Sequence, residues 1–421
     1  MTKPEVHVIF GGQAGSEAKG KTVGYYAMRK QFAAAVSNFM PNAGHTYVDD
    51  QGHATMVQSI PQAVVNPQTM LMLSAGSAID LHLLFNEIYK FNVDPVRLII
   101  DPRAVIVLPK HHDAEQENMG YISSTQKGCG EALADKVRRA QGVVLWRDFV
   151  AAVLGKTVTD TPIPTQVNAQ ALWDDLAKDK SDSQMEIIKG IVEHIITQRV
   201  DWAVNSILKG DNLNHVLVEC PQGYDLDVNH GYSYPYCTSR QTTPAQAIAD
   251  AGIAPQRVTR ITAVIRPYPI RVGNQIENGV QVGTSGEYPS KEITWEEVAK
   301  RSGYPREEIK ELTTVTKKLR RVFEPNWAEL ADMVTITGTT DIALNFADYI
   351  SYSNKNASDV DGLSDDTIRF IVQVEAVAGV PVSTVGTGAK DSAMVDLMNP
   401  DQRAKFEARA DKLSSSDIEE R

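Results

Sequence analysis

The chain has 421 residues, 42% of them hydrophobic and 23% charged, a balance that excludes disordered and collagen-like classes. The net charge of −11 argues against broad binding to duplex nucleic acid. No apolar run reaches the ~18 residues that would span a bilayer, and the Met1–Glu5 stretch leads straight into an apolar run without a leader-type cleavage site. The expectation is therefore a cytoplasmic protein with no membrane and no nucleic-acid partner. Cys129, Cys220 and Cys237 cannot make a disulfide framework, and none sits in a CxxC pair.

In chain order, Val6–Phe10 ends in Gly11-Gly12 and reads as a central parallel strand feeding a glycine loop. Residues 78–91 carry helical spacing. Arg97–Asp101 and Val105–Leu108 read as strands broken at Pro102. Residues 113–145, with Gly120, Gly128, Gly130 and Gly142, lack apolar periodicity and read as a mobile loop over a site. Met185–Lys209 is expected to be one long amphipathic helix with Ile187, Ile188, Ile191, Val192, Ile195 and Ile196 on one side. Val216–Glu219 and Val258–Ile265 are expected strands. Thr243–Ala251 is a short helix opened by Thr-Pro. Trp295–Ser302 is a helix with a capping box formed by Thr294 and Glu297. Val334–Ile336 and Phe370–Val374 read as further strands, and residues 400–421 as a charged surface helix or tail. The alternation predicts one α/β domain over residues 1–421: P-loop-like, with a largely parallel central sheet, flanking helices and smaller loop-rich subdomains.

Five segments could carry chemistry. Gly15-Ser16-Glu17-Ala18-Lys19-Gly20-Lys21-Thr22 satisfies the phosphate-loop pattern after a strand; its glycines free backbone N–H groups for phosphate oxygens and its lysines add charge. Asn42-Ala43-Gly44-His45-Thr46 sets a histidine among loop formers, which suits a general acid, although a lone histidine is more often structural. Glu219 to Gly223, running on to Leu226, His230 and Thr238, follows a strand end, where open α/β sheets bind ligands; the alternative is a structural turn. Ser124, Thr125, Lys127 and, further on, Arg138 and Arg139 suit a monophosphate, or else a solvated charged face. Thr314, Val315, Thr316, Lys318 and Arg320 interleave hydroxyls with cations and could take a dicarboxylate such as aspartate.

Taken in order, these segments resemble the adenylosuccinate synthetase family. The family's GxQWGDEGKGK opening is similar to Gly11–Lys21, its NAGHT is intact at Asn42–Thr46, its AQG and HGTYP turns resemble Pro221–Gly223 and His230–Pro235, and its TTGRxRR loop resembles Val315–Arg321. The resemblance runs from residue 6 to about residue 390. It implies a homodimeric ligase that joins aspartate to a 6-oxopurine monophosphate. A nucleoside triphosphate phosphorylates the purine O6, the aspartate amine displaces that phosphate, an opening-loop aspartate removes the N1 proton, and Mg2+ assists.

The departures redirect this reading. Ser16 stands at the family's catalytic aspartate, and a hydroxyl cannot be the same base. A shorter residue leaves room for the 2-amino group of guanine. The Gly-Ser-Glu loop resembles the phage-type branch of the family that takes dGMP in diaminopurine nucleotide synthesis. Lys318 replaces an arginine that reaches the ribose hydroxyls, which fits a deoxyribose. Phe346-Ala347-Asp348 replaces the Lys-x-Asp that reads a guanine donor, which favours ATP over GTP.

The resemblance implies catalytic roles for Ser16, His45, Lys19 and Gln222. It places dGMP against Ser16, Asn42, Ala43, Ser124, Thr125, Lys127, Arg139, Gln222, Leu226, Thr238, Val272 and Lys318. It places the triphosphate against Gly15, Glu17, Ala18, Lys19, Gly20, Lys21, Thr22, Gly44, His45, Thr46, Arg320, Asp348, Thr384 and Gly386. L-aspartate falls to Thr314, Val315, Thr316, Lys318 and Arg320, and Mg2+ to Ser16 and Gly44. The alternatives are an ordinary synthetase using IMP and GTP and a non-catalytic nucleotide-binding homologue.

Overall fold

The computed structural model describes residues 4–42, 44–155, 169–210, 215–277, 280–305, 309–312 and 319–419. Its strands are β1 (Val6–Gly11), β2 (Phe32–Ser37), β3 (His45–Val48), β4 (Ala54–Val57), β5 (Met70–Leu73), β6 (Leu98–Ile100), β7 (Ile196–Thr197), β8 (His215–Glu219), β9 (Val258–Ile265), β10 (Asp341–Leu344), β11 (Val382–Gly386) and β12 (Met394–Asp396), besides short strands outside the main sheet. The helices used below are α1 (Lys19–Arg29), α2 (Leu81–Lys90), α3 (Pro109–Asn118), α4 (Cys129–Arg138), α5 (Asp182–His194), α6 (Val200–Lys209), α7 (Pro244–Ala251), α8 (Trp295–Ser302), α9 (Trp327–Thr337), α10 (Asp365–Ala378) and α11 (Pro400–Glu419).

Ten strands form one sheet in the order β12-β11-β10-β9-β1-β8-β2-β5-β6-β7. Every pairing in it is parallel except β11 with β12. Because successive side chains point to opposite faces, the strands split the core in two. Ile9, Ala35, Leu71, Leu98 and Leu217 pack with α1, α2 and α5. Val8, Phe10, Val36, Val218 and Leu344 pack with α6, α7, α9 and α10. The parallel arrangement also brings the C-terminal ends of β1, β8, β9, β10 and β11 to one edge, where ligand crevices form in such sheets. Among the described residues, no helix is long and apolar enough to cross a membrane.

Five expectations are corrected. Met185–Lys209 is two helices, α5 and α6, because Ile196-Thr197 leaves the helix to pair with Ile99-Ile100 at the sheet edge; Ile187 is 52% exposed. Val334–Ile336 lies inside α9 and Phe370–Val374 inside α10. Their β-branched residues favour strands, but Asn326 and Ser364 cap these helices by accepting from the N–H of Glu329 and Thr367, and Gly338 and Gly379 close them in the left-handed conformation. The 113–145 segment is largely helical, carrying most of α3 and all of α4. Thr294 does cap α8, but Glu297 turns to Arg301, so the capping box is half formed.

Helix α1 lies against β3 at a distance that only glycine allows. A Cβ at Gly20 would meet the Thr46 N at 2.5 Å, and one at Gly24 the Tyr47 ring at 2.2 Å. Alanine in place of an interior helical glycine ordinarily gains up to about 1 kcal/mol. Here Gly24→Ala is expected to lose about 1–3 kcal/mol in denaturant unfolding, because the ring must move in a packed core; a gain in stability would contradict this packing.

Candidate functional site

The glycine loop leaves β1, crosses the strand ends and enters α1 through Ala18 in the left-handed conformation. Its interior is filled by its own ion pair. Gly15 N–H donates to Glu17 Oε1 at 2.5 Å, and Lys19 Nζ reaches Gly15 O at 3.1 Å and Glu17 Oε2 at 3.3 Å. Both side chains are 1% exposed. The loop therefore presents a buried ammonium and a carboxylate to any phosphate that enters. Lys21 points elsewhere: its Nζ donates to Gly388 O and Ala393 O at 2.5 and 2.6 Å, and burial pushes it down to about 8. The Thr22 hydroxyl is buried and accepts from Asn345 at 3.1 Å.

The Ser16 hydroxyl accepts from the Arg320 guanidinium at 2.5 Å, and the Ser16 carbonyl accepts from Arg266 at 3.1 Å. Arg266 directly follows β9, is buried, and pairs with Glu311 at 2.5 Å. Its guanidinium lies 4.0 Å over the Phe346 ring, so that face of Phe346 is already occupied. Burial works to raise the Glu311 carboxyl, but Arg266 holds it below the usual carboxylate range. Arg320 follows Leu319, which bridges Leu312.

His45 opens β3 and is buried against Phe39. Its Nδ1 lies 2.5 Å from Glu219 Oε1, and the second Glu219 oxygen accepts from Gln62 N at 2.7 Å. A carboxylate on Nδ1 fixes the ring with its hydrogen there and directs Nε2 outward. Nε2 is buried without a partner. Gln222 has φ of 57° and donates through Nε2 to Thr238 at 2.7 Å, leaving its Oε1 unpaired. Its turn is clasped to the glycine loop: Asp225 N donates to Gln13 O at 3.0 Å, and Leu226 lies against Gly15.

Asn42 N–H donates to the Cys129 thiol at the start of α4, and Gly130 packs on Ser239. These contacts bring Asn42, Lys127 and the Thr238 turn to one side, with Ser124 half-buried and Thr125 exposed nearby. Val272 is 37% exposed. Arg139 is exposed at the end of α4. Gly44 and Thr46 are exposed beside His45. Asp348, on a turn after β10, is buried, and burial pushes its carboxyl up to about 6. Gly386 ends β11, but Thr384 lies two residues back inside the sheet and is 1% exposed. Ala43, Thr314, Val315, Thr316 and Lys318 lie outside the described residues.

Sequence reasoning put Glu219 at the head of a candidate segment without a role of its own and missed Arg266, Glu311 and Asn345 as site residues. Glu219 and Arg266 share a readable signal, a charged side chain directly after the apolar end of a strand, Val216–Val218 in one case and Ala263–Ile265 in the other. Glu311 and Asn345 carry none. No group of three or more His, Cys, Asp or Glu side chains that could hold a metal occurs among the described residues. The oxygens at the place expected for Mg2+, the Ser16 hydroxyl and the Gly44 carbonyl, are hard and uncharged. That donor set fits an ion that takes most of its ligands from phosphates and water.

Residues 8–356 match the family described as adenylosuccinate synthetase. The N6-succino-2-amino-2'-deoxyadenylate synthase of Acinetobacter phage SH-Ab 15497 is 31% identical over 92% of this chain and 91% of its own. The adenylosuccinate synthetase of Methanococcus vannielii is 30% identical over 93% of this chain and 98% of its own. In structure, the cyanophage S-2L succinoaminodeoxyadenylate synthetase, bound to dGMP and to dATP as an energy donor, superposes with a TM-score of 0.71 at 26% identity, covering 97% of this chain and 100% of that one. With the glycine loop, the histidine and the Gln222 turn gathered at one edge of the sheet, the chain belongs to the adenylosuccinate synthetase family.

Proposed function

We propose that the protein is a carbon–nitrogen ligase that joins L-aspartate to dGMP, converting ATP to ADP and phosphate and giving N6-succino-2-amino-2'-deoxyadenylate. The observation that carries this reading is Ser16, a hydroxyl held by Arg320 at 2.5 Å where the synthetases place a carboxylate, in a site otherwise furnished for the reaction. The phage relatives' names and the dGMP in the cyanophage enzyme support it. The dATP there favours an adenine nucleotide as phosphate source.

The γ-phosphoryl group passes to O6 of guanine as N1 gives its proton to water; the aspartate amine then adds at C6, loses a proton to water, and the C6–O bond breaks as phosphate leaves. Lys19 and the N–H groups of residues 15–20 take the phosphates, with Gly15 N–H released from Glu17. Protonated at Nε2 and braced by Glu219, His45 donates to the phosphate on O6 as it departs. Gln222 offers its unpaired Oε1 to the purine, and Ser16 accepts from the 2-amino group. Asn42, Ser124, Thr125 and Lys127 hold the monophosphate, while Leu226 and Val272 pack on base and sugar. Arg320 grips an aspartate carboxylate with two parallel bonds, together with Thr314, Thr316 and Lys318. Asp348 and Gly386 receive the base of the triphosphate. Ser16, once Arg320 has turned from it to the aspartate, and Gly44 would hold Mg2+, which would neutralise charge on the phosphate. Two copies form a homodimer in which Arg139 of the partner subunit completes the monophosphate site.

A product assay by mass with dGMP, GMP, dIMP and IMP in parallel, each with aspartate and ATP, tests this reading. The succinyl adduct of dGMP is expected. An adduct of IMP alone would contradict the reading. Ser16→Asp is expected to lower dGMP turnover by crowding the 2-amino group, and unchanged turnover would remove Ser16 from specificity.

His45→Asn is expected to lower kcat by roughly 10²–10⁴ with nucleotide binding retained. A loss of only a few-fold would leave His45 a binding role. Mixing that variant with inactive Arg139→Leu should recover part of the activity, since one hybrid site regains both residues. No recovery after proven subunit exchange would place the whole site in one chain.

A further inference from the structure

Asp348, which the preceding reading places at the base of the phosphate donor, has an unusual setting. Asp348 is 5% exposed, on the Ala347–Tyr349 turn beyond the end of β10. The groups facing it are Lys21 of α1, Lys355 of the Tyr352–Asn354 turn region and Tyr304 after α8, with its neighbour Tyr349 in the same field. Tyr304 hydrogen-bonds its side chain. Lys21, whose charge also faces Asp391, makes no ion pair with it, because the ammonium is committed to the Gly388 and Ala393 carbonyls. Burial outweighs the backbone hydrogen bond, the charges of Lys21 and Lys355 and the Tyr304 hydrogen bond, and the carboxyl is pushed up to about 6. Beside it, at the ends of β10 and β11, Asn345 Oδ1 is a buried acceptor without a partner, next to Gly386.

An ionised and a neutral carboxyl recognise different purines. A carboxylate offers two acceptors, which match the N1–H and 2-amino group of guanine. A carboxylic acid offers one donor and one acceptor, which match N1 and the 6-amino group of adenine. We propose that Asp348 reads the phosphate donor as a neutral acid, giving its O–H to N1 of an adenine triphosphate and accepting from the 6-amino group. The ionised form of the same residue turns the pocket toward guanine. This inference rests on the preceding reading only for placing the donor base at this end of the sheet. Since adenine takes only the neutral form, its affinity falls as pH rises above the carboxyl's pKa, and guanine moves the other way.

Equilibrium binding to the full chain tests this without turnover, using adenylyl imidodiphosphate, guanylyl imidodiphosphate and 1-deaza-ATP, in which C–H replaces N1, all with Mg2+. Adenine-nucleotide binding is expected to weaken at least about tenfold from pH 6 to pH 8. At pH 6, 1-deaza-ATP should bind distinctly more weakly than the adenine analogue. Asp348→Asn, whose amide offers one donor and one acceptor at every pH, should flatten the adenine profile and bind at pH 8 about as the unaltered chain does at pH 6. An adenine affinity that is flat or rises with pH overturns the proposal, as does a slope that persists in Asp348→Asn. A chain that shows the expected binding profile yet forms no succinyl product overturns the ligase reading and leaves this inference standing.

Discussion

One buried guanidinium ties separate segments of the chain together at the sheet edge. Arg266 reaches the Ser16 carbonyl, pairs with Glu311 and lies over Phe346. Its backbone exchanges two hydrogen bonds, of 3.0 and 3.1 Å, with the side chain of Gln13. The glycine loop, the segment of Glu311 and the turn that carries Asp348 thus share one anchor. A guanidinium out of water costs several kcal/mol unless a carboxylate and further acceptors meet it. Glu311 and the Ser16 carbonyl supply both, and the planar fork serves them together in a way an ammonium cannot.

The sheet explains why one cation can reach so many segments. With β1, β8, β9, β10 and β11 parallel, their C-terminal ends share one edge, and each ends in a residue or turn used there: Gly11, Glu219, Ile265 before Arg266, Leu344 before Asn345, and Gly386. Glu219 and Arg266 are the two charged groups placed directly at those ends, and each works through a neighbour. Glu219 orients His45, and Arg266 holds the loop that presents Ser16. The loops hold the reacting groups, and the rigid strands set their spacing.

Much of this was legible from the residues. The Val6–Phe10 run, read as a central strand, is β1, and the glycine loop and the Asn42–Thr46 segment, read as candidate site segments, lie at one edge of the sheet, at the end of β1 and the start of β3. The errors came from reading β-branched runs without their caps. Val334–Ile336 and Phe370–Val374 favour strands in isolation, yet Asn326 and Gly338, and Ser364 and Gly379, bracket helices in the same sequence. Ile196-Thr197 failed the other way, since helical periodicity hid a two-residue strand that exists only through its pairing with β6. Lys21 was grouped with the phosphate loop by pattern, and only the fold shows its ammonium turned to Gly388 and Ala393. Glu311 and Asn345 act across long sequence separations, which local reading does not reach.

The most direct measurement of this shared anchor is backbone hydrogen exchange in Arg266→Lys compared with the unaltered chain. Lysine keeps the charge but cannot serve Ser16, Glu311 and the Phe346 face at once. The account predicts that residues 13–17, 309–312 and 345–349 lose protection together while β1, β8 and β9 remain protected. Loss confined to one of those segments, or no loss in any, would contradict it.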